Sequence, residues 1–264
     1  MTRDFEVALE AARTGAGVVR SYRKNELNLR YKGVNDLVTD ADLATEKKIM
    51  EVIKEFFPGD EFLAEETADH QNIDSGRVWI IDPIDGTTNF AHGFPVYCVS
   101  VGLWIDGRPE AGVVIEVNRN EEFTALRGEG AWLNGNEIQV SDLQEPEKAL
   151  LGTGFPYRDY SLIDEYIKLL RSLMDTVQGI RRPGAAAYDL CCVAAGRFQG
   201  FFEYGLNVWD VAAAALIIQE AGGVVTDWKG GEDWKFGRRV TAGNKATHRF
   251  LLEEIARHIS AGNR

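Results

Sequence analysis

Cysteine and long apolar runs are both scarce in this chain of 264 residues, which contains only three cysteines. Cys98, Cys191 and Cys192 lack the Cys-X-X-Cys spacing of a metal site, and the adjacent pair lies in an apolar, helix-like stretch. We therefore interpret all three as buried, reduced thiols. No apolar run approaches the ~20 residues of a membrane span, and the N-terminus shows no apolar signal-peptide core. These absences predict a soluble, cytoplasmic protein with no membrane partner.

Positive charge is also in short supply, with 29 Lys and Arg against 41 Asp and Glu and a net charge of -12. This balance argues against nucleic acid or an anionic membrane surface as the main partner, so no nucleic acid is expected. It permits an anionic small-molecule substrate, because bound cations can reverse the local field. With 45% hydrophobic residues, the chain can bury a sizeable core as one large domain or two modest ones.

Hydrophobic periodicity divides the chain into two regions of different character. Apolar residues at helical spacing predict a first helix within residues 3–30 and a second over about 42–57. Alternating apolar residues with turn signals over 96–140 predict an antiparallel meander. From about residue 150 the pattern becomes α/β, with strands expected near 150–153, 199–203, 223–227 and 238–242, and helices near 161–175, up to 195, over 209–221 and over 246–259. We therefore expect two halves, 1–145 and 146–264, in one compact unit.

The most informative motif is residues 79–90, Trp-Ile-Ile-Asp-Pro-Ile-Asp-Gly-Thr-Thr-Asn-Phe. The apolar run 78–81 predicts a buried strand, which Pro83 should end because proline has no N–H for a sheet ladder. Asp85 should cap a helix that opens just after it. Carboxylates at a strand end suit a hard divalent cation, and the N–H groups of a helix start suit phosphate, so the motif suggests metal-assisted phosphoryl chemistry. Taken alone, it fits an ordinary turn and cap equally well.

Acidic residues in two other segments strengthen the metal interpretation. Glu65 follows the apolar residues 62–64, and Asp210 opens an alanine-rich helix. In isolation, Glu65 fits a solvated turn and Asp210 fits an acid that complements a helix dipole. Sites in α/β proteins nevertheless assemble at such ends, and clustered carboxylates cost stability unless cations neutralise them. The set predicts a site for Mg²⁺, a hard cation that prefers oxygen ligands.

Two segments resemble the signatures of the inositol monophosphatase family: residues 79–90, and Trp209-Asp-Val-Ala followed by Glu220-Ala-Gly-Gly. Both are long, mixed in residue type and in the expected order, and the similarity runs from about residue 36 to 231. The resemblance implies a Mg²⁺-dependent, lithium-sensitive sugar-phosphate phosphatase that is commonly a homodimer. It also implies an α/β fold, a layered αβαβα sandwich with a larger antiparallel sheet in the N-terminal half and a smaller mixed sheet in the C-terminal half.

The resemblance further assigns roles to individual residues. Two to three Mg²⁺ ions would be held by Glu65, Asp82, the carbonyl of Ile84, Asp85 and Asp210. The catalytic residues would be Asp42 and Thr87, which orient the attacking water, together with Glu65. The substrate would contact the N–H groups of Gly86 and Thr87, and also Ala186, Glu203 and Asp210. One cation lowers the pKa of its water while another stabilises the leaving oxygen, so no Ser-His-Asp or cysteine nucleophile is needed.

Several functions remain open within this assignment. The first is hydrolysis of the phosphate monoester of a polyol, myo-inositol 1-phosphate, by metal-activated water. The alternatives are a fructose-1,6-bisphosphatase or another sugar or histidinol phosphatase of the same superfamily, and, in another class, a non-catalytic metal-dependent regulatory scaffold. A substrate with an adenine ring should need a larger, aromatic-lined cleft. Residues 183–187 lack the hydroxyl residue that many relatives carry after the glycine, so Ala185 removes a polar contact near the sugar.

Overall fold

A computed structural model describes residues 2–22, 29–33, 36–69, 72–157 and 159–264. The helices are α1 (Arg3–Tyr22), α2 (Asp40–Phe56), α3 (Thr87–His92), α4 (Ile163–Thr176), α5 (Ala186–Ala194), α6 (Val208–Glu220) and α7 (Lys245–His258), with a short 3-10 helix at Pro146–Lys148. The first ten strands are β1 (Leu29–Gly33), β2 (Asp36–Thr39), β3 (Glu61–Ala64), β4 (Ala68–Asp69), β5 (Arg77–Asp85), β6 (Cys98–Ile105), β7 (Arg108–Glu116), β8 (Glu121–Leu126), β9 (Gly130–Leu133) and β10 (Asn136–Glu137). The remaining strands are β11 (Leu150–Thr153), β12 (Gly179–Arg181), β13 (Gly200–Tyr204), β14 (Val224–Thr226) and β15 (Arg239–Gly243).

The strands form two main sheets and one hairpin. The larger sheet has eight strands in the order β10-β9-β8-β7-β6-β5-β3-β4, and β3 with β5 is its one parallel pair. The smaller sheet has the order β12-β11-β13-β15-β14, with β11 parallel to both of its neighbours and β15 antiparallel to both of its own. Strands β1 and β2 pair antiparallel. The predicted α/β fold with a larger, mainly antiparallel sheet and a smaller mixed sheet is confirmed.

Helices cover both sheets and separate them. Helices α1 and α2 lie on one face of the larger sheet, α5 and α6 lie between the two sheets, and α4 and α7 cover the outer face of the smaller sheet. Strand β5 shows why this layering follows from the sequence, because alternate side chains point to opposite faces. Trp79 and Ile81 pack in the core with α1 and α2, whereas Val78 and Ile80 pack in the core with α5 and α6. A strand buried on both faces accordingly has a continuous apolar run.

Three local expectations need correction. Helix α1 ends at Tyr22 as the structure describes it, and residues 29 and 30, which the first helical segment was expected to include, belong to strand β1. Pro83 does not end strand β5, because a register shift between Asp82 and Asp85 carries the strand past the proline. The cap of α3 is Gly86 in the left-handed region rather than Asp85. The proposed boundary between residues 145 and 146 stays a prediction.

In the described part of the chain, no helix combines the length and the apolar character that a membrane crossing requires.

Candidate active site

The bulge at the end of β5 turns two carboxylates toward one cleft. Asp82 and Asp85 flank the register shift, so both side chains lie beside the start of α3. Gly86 makes the turn at φ 91°, a backbone conformation that favours glycine. A Cβ at this position would also lie only 3.0 Å from the carbonyl oxygen of Val96 and 3.2 Å from Cβ of Ala185. The glycine in the motif is therefore required both by the backbone and by close packing.

The structure brings Asp85 together with Asp82 and with Asp210 from the first turn of α6. One carboxylate oxygen from each of the three residues lies within 4.8 Å of the others. Among the described residues, Oδ1 of buried Asp82 has no hydrogen-bond partner. A buried carboxylate oxygen without a donor costs free energy unless a cation neutralises it. This donor set, all oxygen and rich in negative charge, fits Mg²⁺.

Mutual repulsion is visible in the pKa values of this cluster. Burial raises the pKa of Asp82 well above its usual value, and the charges of Glu65, Asp85 and Asp210 raise it further. Burial also raises the pKa of Asp85 to about 7, with a further contribution from Asp210. In the absence of a cation, these groups therefore hold protons that ordinary aspartates have lost.

Glu65 and Ile84 lie beside the three-carboxylate cluster rather than in it. Glu65 lines the same cleft, and its charge is the largest electrostatic contribution after burial to the raised pKa of Asp82. Its segment is held by Glu46 of α2, whose carboxylate accepts the backbone N–H of Glu66 at 2.8 Å. The carbonyl oxygen of Ile84 lies 2.9 Å from Oγ1 of Thr87, whose single proton it shares with Asp42.

Thr87 and Asp42 meet across 45 residues of sequence, as the resemblance implies. The Thr87 Oγ1 lies 3.1 Å from Oδ1 of Asp42. The other oxygen of Asp42 accepts the backbone N–H of Thr39 at 2.8 Å and the Thr39 hydroxyl at 2.6 Å, in a capping box at the start of α2. Burial raises the pKa of Asp42, and the hydrogen bonds from Thr39 and Thr87 oppose that rise. A buried carboxylate that Thr39 fixes through one oxygen, and that contacts the Thr87 hydroxyl through the other, has the geometry needed to orient water through Thr87.

Asp85 has a second set of contacts that the sequence did not suggest. Its Oδ2 accepts the backbone N–H of Ala187 at 2.6 Å and lies 3.5 Å from the Cys98 thiol. Hydrogen bonds from Ala187, Cys98 and Ala186 all lower its pKa, against the larger effect of burial. Ala185, the N-cap of α5, has no side-chain hydrogen bond of its own. Asp85 therefore caps α5 from a distance of 102 residues in sequence.

The other side of the cleft is formed by α5, β13 and α6. The cleft has a volume of about 570 Å³, in the usual range for a small-molecule site. Ala186 and Glu203 both line it, as expected. The Glu203 carboxylate lies directly on Gly154, where any Cβ would be 1.8 Å from its Oε1. Burial raises the pKa of Glu203 to about 8, against the lowering effect of Arg182.

Two further residues lining the cleft escaped the sequence analysis. Asp189 is buried in α5, and its Oδ1 has no hydrogen-bond partner in the described part of the chain. Its signal was an acid in the apolar helix 186–194, which is uncommon without a specific reason. Arg182 lies 5.6 Å from the ring centre of Phe155 and 5.2 Å from that of Tyr157. No sequence pattern distinguishes it from its neighbour Arg181.

Comparisons with known proteins agree with this geometry. A model of the inositol monophosphatase family matches residues 1–261. The chain is 43% identical over 261 residues to "Nus factor SuhB" of Pseudomonas aeruginosa, covering 97% of this chain and 96% of that one. It is 44% identical over 258 residues to "Phosphatase IMPL1, chloroplastic" of Arabidopsis thaliana, covering 96% of this chain and 70% of that one. The solved structure of an inositol monophosphatase from Anabaena (Nostoc) sp. PCC 7120 superposes with a TM-score of 0.85 at 37% identity, covering 98% and 97% of the two chains. The chain belongs to the inositol monophosphatase family.

Proposed function

We propose that this protein hydrolyses myo-inositol 1-phosphate to inositol and phosphate, with Mg²⁺ as its cofactor. The observation that carries the proposal is the group of Asp82, Asp85 and Asp210 within 4.8 Å, beside the Thr87–Asp42 pair in one cleft. Membership of a Mg²⁺-dependent phosphatase family supports it. We assign two to three ions to these three carboxylates, to Glu65 and to the carbonyl of Ile84. When bound, Mg²⁺ supplies positive charge to the phosphate and lowers the pKa of water.

Thr87 and Asp42 orient the water in this proposal. The Thr87 hydroxyl has one proton and two lone pairs. Two acceptors compete for this proton, the carbonyl of Ile84 at 2.9 Å and Oδ1 of Asp42 at 3.1 Å. When the proton turns to Asp42, the lone pairs of the hydroxyl accept a hydrogen bond from water in the cleft. The proton of that water then has a route through Thr87 toward Asp42, whose pKa is raised by burial and which is accordingly a better acceptor. Glu65 is the third residue that we place in the catalytic group.

The substrate spans the cleft from α3 to β13. We place the phosphate at the backbone N–H groups of Gly86 and Thr87, at the start of α3. The inositol ring then lies against Ala186, with its hydroxyls donating to the carboxylates of Glu203 and Asp210. Glu203 suits this role because it lines the cleft on the same side as Ala186.

The charge of the cleft favours neutral hydroxyls over a second phosphate. Seven of the described lining residues are Asp or Glu, and Arg182 is the one Lys or Arg among them. Glu203 and Asp189 lie at the alcohol side, where burial raises the pKa of both, so a second phosphate would meet two acids and only one cation, Arg182. We therefore rank fructose 1,6-bisphosphate below inositol 1-phosphate. Histidinol phosphate carries a cationic amine, which the acids on this side of the cleft would accept. It therefore stays an alternative substrate.

The first test measures phosphate release from inositol 1-phosphate with Mg²⁺ and with EDTA. Wild-type protein should release phosphate only with Mg²⁺, and Asp85→Asn should lose almost all turnover, because the amide cannot replace the anionic ligand. Asp142→Asn, the same change at an exposed position outside the cleft, should behave as wild type. Normal turnover in a folded Asp85→Asn variant would refute the proposed mechanism.

The second test concerns the alcohol. Glu203→Gln should raise KM for inositol 1-phosphate more than KM for 4-nitrophenyl phosphate, because the aromatic ester offers no hydroxyls to Glu203. Fructose 1,6-bisphosphate, histidinol phosphate and 3′-phosphoadenosine 5′-phosphate complete the substrate panel. Equal changes in KM for both esters would remove Glu203 from the sugar site. A higher kcat/KM for another member of the panel would replace inositol 1-phosphate in the proposal.

A non-catalytic regulatory role is the alternative of another class. Its specific support is the name "Nus factor SuhB", which several relatives at 39% to 43% identity carry. The net charge of -12 argues against direct contact with nucleic acid, which we still do not expect as the main partner. Wild-type protein that binds Mg²⁺ but hydrolyses no member of the substrate panel would favour this alternative.

Three further properties belong to the proposal. We expect a homodimer, which the molar mass from light scattering would test. We expect a cytoplasmic location, in agreement with three buried cysteines that form no disulfide. Inhibition of phosphate release by Li⁺ is also expected, and unchanged turnover at high LiCl, compared with matched NaCl, would contradict it.

A further inference from the structure

Asn89 in α3 makes an unusual set of hydrogen bonds for one side chain. Its Nδ2 lies 2.8 Å from the carbonyl oxygen of Val96, 3.0 Å from that of Pro183 and 3.3 Å from that of Gly184. An amide nitrogen carries two protons, so the two shorter contacts use one each and the third is shared. All three acceptors are backbone carbonyls from outside α3, and two of them are more than 90 residues away in sequence.

These carbonyls belong to the two walls of the cleft. Pro183 and Gly184 lie just before Ala185, the N-cap of α5, and this helix begins at Ala186 on the proposed sugar side. The carbonyl of Val96 lies against Gly86 on the proposed phosphate side, where a Cβ would approach it to 3.0 Å. Asn89 itself follows Thr87 by two residues in α3. One side chain thus connects the phosphate-side turn with the turn that starts the sugar-side helix.

The turn at Gly184 is closely packed around this contact. Its φ is 97°, and a Cβ there would lie 3.1 Å from Nδ2 of Asn89 and 2.3 Å from Nη1 of Arg182. Asp85 also joins these walls, because it accepts the N–H of Ala187. The Asp85 contact depends on a residue that we assign to the metal, whereas the Asn89 contact does not. Asn89 therefore holds the two walls together whether or not a cation is present.

We propose that Asn89 is a positioning residue that sets the spacing between the phosphate side and the polyol side of the cleft. The inference rests on the proposed function, since it concerns the fit of a polyol phosphate. Without the amide, three carbonyls lose their donor, and the Pro183–Gly184 turn and the start of α5 move relative to α3. A substrate that contacts both walls should lose affinity, whereas one that is held mainly by its phosphate should not.

The kinetic experiment compares two esters in Asn89→Ala. KM for inositol 1-phosphate should rise about tenfold or more, as expected when a binding wall is displaced. KM and kcat for 4-nitrophenyl phosphate should stay close to wild type. Asn136→Ala is the matched control, because exposed Asn136 also donates Nδ2 to a carbonyl, that of Asn134, but lies outside the cleft. Equal changes in KM for both esters, or none, would overturn the proposal.

A second variant and a second measurement keep the proposal testable if Asn89→Ala does not fold well enough to be active. Gly184→Ala displaces the same turn while leaving Asn89 intact, so it should reproduce the selective rise in KM. Amide hydrogen exchange, followed by mass spectrometry of peptides covering 183–190, should be faster in Asn89→Ala and unchanged in Asn136→Ala. Exchange at the wild-type rate would overturn the proposal even if the protein hydrolysed neither ester. Failure of wild-type protein to release phosphate would instead refute the proposed function.

Discussion

Single carboxylates of this cluster have a structural task at the start of a helix. Asp85 accepts the N–H of Ala187 at 2.6 Å, and Asp210 accepts the N–H of Asn207 at 2.6 Å in a capping box. Asp42 forms the capping box of α2 with Thr39. In each case a backbone donor fixes one oxygen of the carboxylate, and Asp85 does this for α5 rather than for the expected α3. The chemical roles of these acids stay predictions.

The sequence predicted that these acids would cluster, but it did not predict the hydrogen bonds that hold them in place. Asp82, Asp85 and Asp210 come together as expected because they occupy strand ends and helix starts, where α/β sites assemble. The supporting contacts of Asp85 and Asn89 join residues about a hundred positions apart, and no local pattern encodes such a pairing. The clustering of these acids was consequently accessible from sequence, whereas the contacts of Asn89 required the tertiary structure.

Thr87 offers a test at the residue scale. Thr87→Val removes the hydroxyl that lies 3.1 Å from Asp42 but keeps the branched shape, so the folded protein should lose the water-orienting contact. We expect kcat to fall by about 10² to 10⁴, the usual contribution of a positioned acid–base group. KM should change little. Steady-state phosphate release from inositol 1-phosphate measures both.

Two control variants show whether the effect of Thr87→Val comes from the loss of the hydroxyl. Thr87→Ser restores the hydroxyl and should recover much of the lost kcat. Thr88→Val makes the same change one residue later, at an exposed threonine that lines the same cleft, and should retain far more kcat than Thr87→Val. A Thr87→Val variant with full kcat would exclude the hydroxyl from the reaction.

At the scale of elements, α6 carries Asp210 and packs on the larger sheet through glycines. A Cβ on Gly112 of β7 would lie 2.6 Å from the carbonyl oxygen of Ala213, and one on Gly102 of β6 would lie 3.3 Å from its nitrogen. The alanine run of α6 and these glycines allow the helix and the sheet to approach closely. The sequence predicted the helix over 209–221, close to the observed Val208–Glu220, but not which strands it would contact.

Gly112→Ala tests that close approach. The added methyl group meets backbone rather than a flexible side chain, so helix and sheet must separate locally. We expect a loss of about 1–3 kcal/mol in the free energy of unfolding, the usual cost of overpacking. Since α6 aims Asp210, kcat should fall as well. Chemical denaturation in urea, together with phosphate release, measures the two effects.

The control for this substitution is Gly17→Ala. Gly17 lies in the exposed face of α1, and nothing lies within 4 Å of a Cβ placed there. Alanine is the better helix former, so this variant should gain up to about 1 kcal/mol and keep its activity. If Gly112→Ala had the same free energy of unfolding as wild type, the small size of Gly112 would not be what allows α6 to pack this closely on the sheet.

On the scale of the whole molecule, folding buries carboxyl groups that are ionised in the unfolded chain at neutral pH. Burial raises the pKa of Asp42, Asp82 and Asp189, and it raises that of Asp85 to about 7 and that of Glu203 to about 8. These groups come from distant parts of the sequence. Four of them line one cleft, and Asp42 is bonded to Thr87 at its edge. The fold is thus less stable without a cation than its apolar core alone would make it.

The sign of the resulting pH dependence follows from proton binding. Between the unfolded pKa of about 4 and the raised folded values, the folded state holds more protons than the unfolded state. The stability of the metal-free protein should therefore fall as pH rises from 5 to 8. His248 acts in the opposite direction, because burial lowers its pKa and favours the neutral folded form at higher pH. One histidine opposes five carboxyl groups, so the fall should prevail.

Mg²⁺ should reverse this trend, because it binds the deprotonated carboxylates and only the folded state assembles them. We expect the Tm in EDTA to decrease between pH 5 and pH 8, and the increase in Tm on adding Mg²⁺ to be small at pH 5 and larger at pH 8. Asp82→Asn removes one buried acid, so its Tm in EDTA should depend less on pH than that of wild type. Thermal denaturation at three pH values, with Ca²⁺-free buffers of matched ionic strength, measures all of these. A Tm in EDTA that rises steadily to pH 8 would show that ionisation of the buried carboxyl groups does not destabilise the metal-free protein.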